Sequence, residues 1–215
     1  FFSAPRTYTR DTETAWTMKQ SDDRLNDVCG VILAGGQSSR MGCDKATLEV
    51  GGIPMFHIIL RTMRSLFNHV IIAGDRPDLS QPDIPCFPDQ YPGSALGGLY
   101  TGLAEAKTEW IFVSACDMPF PDEKIVRRLL ALRKDADVVV PKTHGGFEPL
   151  FAVYRKTCLP FMKEQLTNNR FKIDRFYPKV CVRYVSVPDL PEGWERSLIN
   201  VNTPEEFGSL LETSQ

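Results

Sequence analysis

The chain has 215 residues, and its 25 Lys and Arg against 27 Asp and Glu give a formal net charge of −2. That balance excludes a broad basic surface for nucleic acid, and no apolar run approaches the ~18 residues of a membrane span, so any positive potential must be local. The six cysteines are scattered with no CxxC pair, which reads as reduced, mostly packed thiols of a cytoplasmic protein and not as a zinc site.

Residues 1–26 are polar, lack the apolar core of a secretory signal, and are expected to form a flexible N-terminal extension. The chain does not begin with Met, whereas Met18 lies at a sensible distance before the first strand; residues 1–17 are expected to have no catalytic role. Residues 27–215 read as a single domain without repeat or linker. Val31, Ile32, Leu33 and Ala34 predict a buried strand that runs into Gly35-Gly36, followed by a polar loop carrying Ser38, Ser39, Arg40, Gly42 and Lys45. Glycine has no Cβ, so backbone amides on such a loop can close on an anion, and Arg40 and Lys45 would add full positive charge against a polyphosphate. The loop is neither a Walker A, since five residues separate Gly36 from Gly42, nor a GxGxxG fingerprint. By itself it is equally a tight strand-to-helix turn with a solvated basic rim.

Pro54 opens the next helix, on which Phe56, Ile59, Leu60, Met63 and Phe67 recur at helical spacing. His69 to Gly74 predicts a second strand and Ile84 to Phe87 a short third, ending at Pro88-Asp89. Gly97, Gly98 and Gly102 in the helical stretch that follows suggest close backbone packing or approach to a ligand. Trp110 to Ala115 is apolar enough to be a central strand, with Asp117 just past its C-terminal end and Cys116 a packing residue. Ile125, Val126, Leu129, Leu130 and Leu132 pattern a helix that Asp122 can cap. Strands are then expected at Val138 to Val140, Pro149 to Val153 and Val180 to Val187, with helical stretches near Leu159 to Leu166 and Arg170 to Tyr177. Thr203-Pro204-Glu205-Glu206 is a capping box opening a last helix. The alternation predicts an α/β fold with helices on both faces of one sheet.

Asp117 emerges from an apolar strand at the edge where α/β ligands bind, and a carboxylate there is costly unless it is paired or holds a metal. An N-cap is the alternative reading, although Asp122 already fills that place. Asp89 reads locally as a turn aspartate after Pro88, and Asn200 and Asn202 as turn asparagines. His57, His69 and His144 converge on no hydrolase pattern; His144 alone is a plausible pocket residue.

LAGGQSSRMGCDK, together with PDQYPGSALGGLYTGL (Pro88 to Leu103), CDMPF (Cys116 to Phe120), EPLFAVY (Glu148 to Tyr154) and NVNTPEEF (Asn200 to Phe207), resembles the molybdenum cofactor guanylyltransferases, a branch of the nucleotidyltransferases. The resemblance covers about Asp27 to Leu211. It implies a Rossmann-like three-layer sandwich with a mostly parallel mixed sheet, one strand reversed near the substrate half. It also implies an enzyme that transfers GMP from MgGTP to the phosphate of molybdenum-molybdopterin, with pyrophosphate leaving. Leu33, Ala34 and Gly35 match the family's backbone contacts to the nucleotide, with Gly36 beside them. Lys45 matches its nucleotide-binding lysine, Arg40 would clamp the pyrophosphate, Asp117 matches its Mg²⁺ ligand, and Asp89 matches a GTP-binding aspartate able to accept from guanine N1–H and the 2-amino group. Asp75 stands where some members carry a nucleotide-contacting asparagine; a carboxylate cannot donate as an amide does. Asn200, Asn202 and Glu148 fall on the acceptor side, and molybdoenzymes or other cofactor-biosynthesis proteins are possible partners. LAGG, where cytidylyltransferases tend to read LAAG, favours guanine. Two rival enzymes would transfer CMP to the same acceptor or a nucleotide to a sugar phosphate. A rival of another class is a non-catalytic adaptor that carries nucleotide or pterin, against which Lys45 and Asp117 argue.

Overall fold

The first strand sets the pattern for the whole fold. In β1 (Leu25–Leu33), Cys29, Val31 and Leu33 face one side and Val28 and Ile32 the other, all buried. A strand buried on both faces belongs inside an α/β sheet, with helices above and below. The computed structural model describes residues 24–35, 49–50, 53–201 and 206.

In chain order there follow the short hairpin strands β2 (Glu49–Val50) and β3 (Ile53–Pro54), α1 (Met55–Leu66), β4 (Phe67–Ala73), β5 (Cys86–Phe87) and α2 (Ala95–Glu105). Then come β6 (Trp110–Ala115), α3 (Glu123–Ala131), β7 (Val138–Thr143), β8 (Gly146–Phe147), β9 (Phe151–Arg155), α4 (Leu159–Thr167), β10 (Val182–Ser186) and the short α5 (Trp194–Ser197). The main sheet has the order β10–β7–β9–β6–β1–β4–β5, with β8 paired to β7. β4, β5 and β6 run parallel to β1; β9 is reversed between β6 and β7, and β10 runs parallel to β7. This is the mostly parallel mixed sheet implied by the family resemblance, reversed strand included.

The period-two alternation sorts the core into two layers. Ile32, Ile72, Phe112 and Val139 pack with Ile59, Met63, Ile125 and Leu129 of α1 and α3. Val31, Ile71, Val113 and Val140 pack with Leu96, Leu99, Met162 and Leu166 of α2 and α4. Each such side chain contributes roughly 1.5–3 kcal/mol on burial, an upper figure given a compact unfolded chain. Asp122 caps α3 by accepting from the Lys124 N–H at 2.7 Å, as expected. Gly102 explains the closeness of α2 to the sheet, since a Cβ there would sit 2.5 Å from Val31 Cγ1.

Several expected boundaries move. Phe67 is buried but opens β4 and does not continue α1, because the chain turns extended at that residue. The strand expected over 149–153 is β9 at Phe151–Arg155. Pro149 lacks an N–H for a ladder, and the Phe151 N–H closes a turn on the Glu148 carbonyl. The third strand shortens to β5, and the stretch expected near 170–177 forms a 3₁₀ run at Ile173–Lys179 containing Pro178. α5 was not anticipated; it is too short to show a helical period. The capping box at 203–206 lies outside the described residues except for Glu206. Of the cysteines, Cys29 and Cys158 are core residues with thiols pushed up to about 12 by burial, whereas Cys181 is exposed and Cys86 and Cys116 are half-buried. No described helix is long and apolar enough to cross a membrane.

Candidate active site at the carboxyl edge of the sheet

Strand register places the predicted site residues in one row. Leu33 lies beside Ala73 on one side and Ala115 on the other, and Ala73 lies beside Phe87. Two residues beyond these four positions stand Gly35, Asp75, Asp89 and Asp117, at the edge where open parallel sheets bind ligands. The strand order sets Asp117 on one side of Gly35 and the two other carboxylates on the other side.

Asp89 does not stay over its own strand. A Cβ on Gly35 would lie 3.0 Å from Asp89 Oδ2, and one on Gly98 would lie 3.4 Å from Oδ1, so this carboxylate reaches over the end of β4 to the end of β1. Gly74 makes the crossing possible. Its φ is +143°, and a Cβ there would fall 2.6 Å from the Gly35 nitrogen. The Gly74 N–H donates to the Phe87 carbonyl at 2.9 Å, and its own carbonyl accepts from Cys86 Sγ at 3.1 Å, which pins the crossing to β5. Asp89 Oδ1 is enclosed and has no hydrogen-bond partner among the described residues. Burial first, and then the negative charge of Asp75, hold the Asp89 carboxyl above the usual carboxylate range. Asp75 itself is exposed.

On the other side, the loop after β6 is stitched to the chain's C-terminal part. The Val201 N–H donates to the Asp117 carbonyl at 2.8 Å, and Ser197 Oγ accepts from the Asp122 N–H while donating to the Phe120 carbonyl. Val201 is buried and Asn200, beside it, is exposed. Glu148 follows β8 on the same edge, where the Ala115 N–H donates to the Leu150 carbonyl. Burial pushes the Glu148 carboxyl up, against the lowering effect of a hydrogen bond with Thr143. The loop is held from below by Tyr154, whose hydroxyl donates to the Pro149 carbonyl at 2.7 Å and sits 3.1 Å from the Tyr177 hydroxyl.

Leu33, Ala34, Gly35, Asp75, Asp89, Asp117, Glu148 and Asn200 therefore share one edge. Gly36, Arg40, Lys45 and Asn202 lie outside the described residues, on segments that leave this edge at Gly35 and Val201. His57, His69 and His144 are exposed. Among the described residues no three or more His, Cys, Asp or Glu side chains gather as a metal cluster. A hard divalent ion held by one carboxylate, substrate phosphates and water needs no such cluster, so Asp117 at a ligand-binding edge fits that donor set. Local sequence assigns no site role to Gly74 or to Thr101. A glycine ending a strand beside Asp75 was the available signal for the first; nothing local marks the second.

A glycine-floored edge with carboxylates at both sides, at the carboxyl ends of the parallel strands of an open sheet, is where α/β enzymes bind their ligands, and the family match below makes this one a nucleotidyltransferase. The chain belongs to the family described as the MobA-like NTP transferase domain, whose model matches residues 30–177. It is 35% identical over 190 residues to the "Probable molybdenum cofactor guanylyltransferase" of Carboxydothermus hydrogenoformans, covering 87% of this chain and 96% of that protein. The "Molybdenum cofactor guanylyltransferase" of Vibrio atlanticus is 35% identical over 190 residues, with 84% and 95% covered. Among solved structures, the molybdopterin-guanine dinucleotide biosynthesis protein A of Archaeoglobus fulgidus shares the fold with a TM-score of 0.74 at 20% identity, covering 86% of this chain and 97% of that one.

Proposed function

We propose that the chain transfers GMP from MgGTP to the phosphate of molybdenum-molybdopterin, giving the guanine dinucleotide cofactor and pyrophosphate. The observation that carries the base choice is the Asp89 carboxylate, packed over Gly35 at the end of β1. Guanine offers two adjacent donors, N1–H and the 2-amino group, that such a carboxylate can accept; cytosine offers no such pair. The acceptor is supported by the relatives named above, not by any pterin-shaped feature.

In this reading Leu33, Ala34, Gly35 and Gly36 pass the nucleotide along the backbone, and Lys45 and Arg40 meet the triphosphate. An oxygen of the acceptor phosphate attacks the α-phosphorus. The bond from that phosphorus to the bridging oxygen of the β-phosphate breaks, and pyrophosphate leaves with the electron pair. No protein nucleophile is required, so the residues act by positioning and by charge. Asp117 would hold Mg²⁺, which when bound neutralises triphosphate charge and prefers carboxylate and phosphate oxygens. Glu148, Asn200 and Asn202 line the acceptor side.

Nucleotide-dependent melting in MgCl₂ tests the base. At a hundredfold excess over Kd, selective binding adds about 2.7 kcal/mol, and for a chain of this size that raises Tm by roughly 5–10 °C. GTP should give that shift and ATP, CTP and UTP far less; a larger shift with CTP would defeat the guanine reading. The pH dependence has a fixed sign. Guanine donors favour ionised Asp89, whose nucleotide-free pKa is raised, so GTP affinity should fall as pH drops through that raised value. Asp89→Asn should bind GTP weakly and lose this pH dependence; titration calorimetry across pH 4–7 reads both. Deleting residues 1–17 should leave turnover unchanged, which a steady-state pyrophosphate-release assay checks.

A further inference from the structure

Asp89 can discriminate a base only if its carboxylate is held in one place, and Thr101, twelve positions further on, ties down the peptide unit that follows it. Thr101 lies on α2 and is fully buried. Its Oγ1 accepts from the Gln90 N–H at 2.9 Å and donates to the Gly97 carbonyl at 3.0 Å, so donor and acceptor capacity are both used. The peptide unit between Asp89 and Gln90 is thereby bolted to the first turns of α2. The same turns crowd this segment from the other side. A Cβ on Gly97 would overlap the Tyr91 carbonyl oxygen at 1.8 Å, and one on Gly98 would touch Asp89 Oδ1. Ser94 fixes the start of the helix by accepting from the Gly97 N–H at 3.1 Å. Helix α2, packed hard on β1 through Gly102, thus becomes a rigid ruler from the sheet to the Asp89 peptide. Among the described residues the side-chain hydrogen bond from that ruler to the peptide itself is Thr101's; Glu105 holds only the Gln90 side chain, at 2.9 Å.

We infer that Thr101 is the positioning residue for base recognition: it aims the Asp89 carboxylate at the paired N1–H and 2-amino donors of a guanine nucleotide, without touching the ligand. This rests on the guanine reading given above. Valine at position 101 keeps the shape and removes both hydrogen bonds, freeing the Gln90 N–H from α2; serine keeps them.

The experiment compares binding of GTP, ITP and inorganic triphosphate to wild type, Thr101→Val, Thr101→Ser and Asp89→Asn. ITP lacks the 2-amino donor, so the GTP-to-ITP affinity ratio reports the carboxylate contact. Thr101→Val should lower that ratio toward one and raise the KM for GTP about tenfold while kcat stays within about twofold, the pattern of lost ground-state binding. Thr101→Ser should restore the ratio. In the Asp89→Asn background, Thr101→Val should shift the ratio no further, since both changes remove one interaction. Inorganic triphosphate should bind every variant alike. An unchanged ratio in Thr101→Val, or an equal loss for all three ligands, would overturn the inference, because a merely structural residue weakens everything together. If wild type itself shows no preference for GTP over ITP, or Asp89→Asn keeps one, the guanine reading has failed and the inference with it. Should the valine variant fold in low yield, Thr101→Cys, of similar volume with only a weak donor, gives the same readout.

Discussion

Asp117→Asn should lower Mg²⁺-dependent turnover by roughly 10³-fold or more while the protein melts within a few degrees of wild type. The substitution keeps shape and volume and removes one formal charge, which is the property a hard divalent ion requires of its ligand. The Asp117 carbonyl accepts from the Val201 N–H at 2.8 Å, and asparagine leaves that backbone bond in place. The helix that follows does not rely on it either, because Asp122 is the cap of α3. Stability and catalysis should therefore separate. Pyrophosphate release measured against a Mg²⁺ titration, alongside thermal melting, distinguishes the outcomes. A variant keeping a tenth of wild-type turnover at saturating Mg²⁺ would remove Asp117 from the chemistry, and one that fails to fold would make it a structural residue.

The second large effect is expected at Gly74, and it strikes the fold and the site together. Its φ of +143° lies where L side chains are strained, and the nearest atoms to an added Cβ are Gly35 N at 2.6 Å, the Ala34 carbonyl carbon at 2.8 Å and Gly35 Cα at 3.0 Å. These are backbone atoms of β1's exit, with no flexible end to swing aside. The backbone term costs about 1–3 kcal/mol and the overpacking about another 1–3 kcal/mol. Gly74→Ala should therefore lower Tm by roughly 5–20 °C and weaken GTP binding in whatever fraction folds, since relief can come only by displacing Gly35 from beneath Asp89. Gly98→Ala is the matched control: its Cβ meets Asp89 Oδ1 and Leu33 at 3.4 and 3.6 Å, an ordinary contact. As a helix-interior glycine on α2, it should gain about 0.5–1 kcal/mol on becoming alanine. Paired melting curves that showed Gly74→Ala as stable as wild type would contradict the crossing described here.

These predictions share one physical origin. The site is built where four parallel strands stop in register, and small residues at the stops let side chains from one strand reach across to the next. Carboxylates placed in such a row repel one another and resist burial, which is visible in the raised Asp89 carboxyl. In the nucleotide-free protein that shift has a definite sign. The native state binds the proton more tightly than the unfolded chain, so this group's contribution to stability is lost as pH rises from the ordinary carboxylate value through the raised one. Bound nucleotide, by favouring the ionised form, should reverse that dependence.

The alternation of buried strands with one-sided helices was legible in the residues because burial on two faces leaves a near-continuous apolar run, as at Trp110–Ala115. The row of Gly35, Asp75, Asp89 and Asp117 was legible for a related reason: each follows the last apolar residue of a strand, and a parallel sheet brings such exits together. What the chain order could not supply were contacts between residues far apart in sequence. The crossing of Gly74 over Gly35, the reach of Asp89 to another strand's end, and the grip of Thr101 on Gln90 all depend on which atoms meet once α2 has docked on β1. Local propensity is blind to those meetings; they are decided by close packing in three dimensions, where a single Cβ is enough to forbid them.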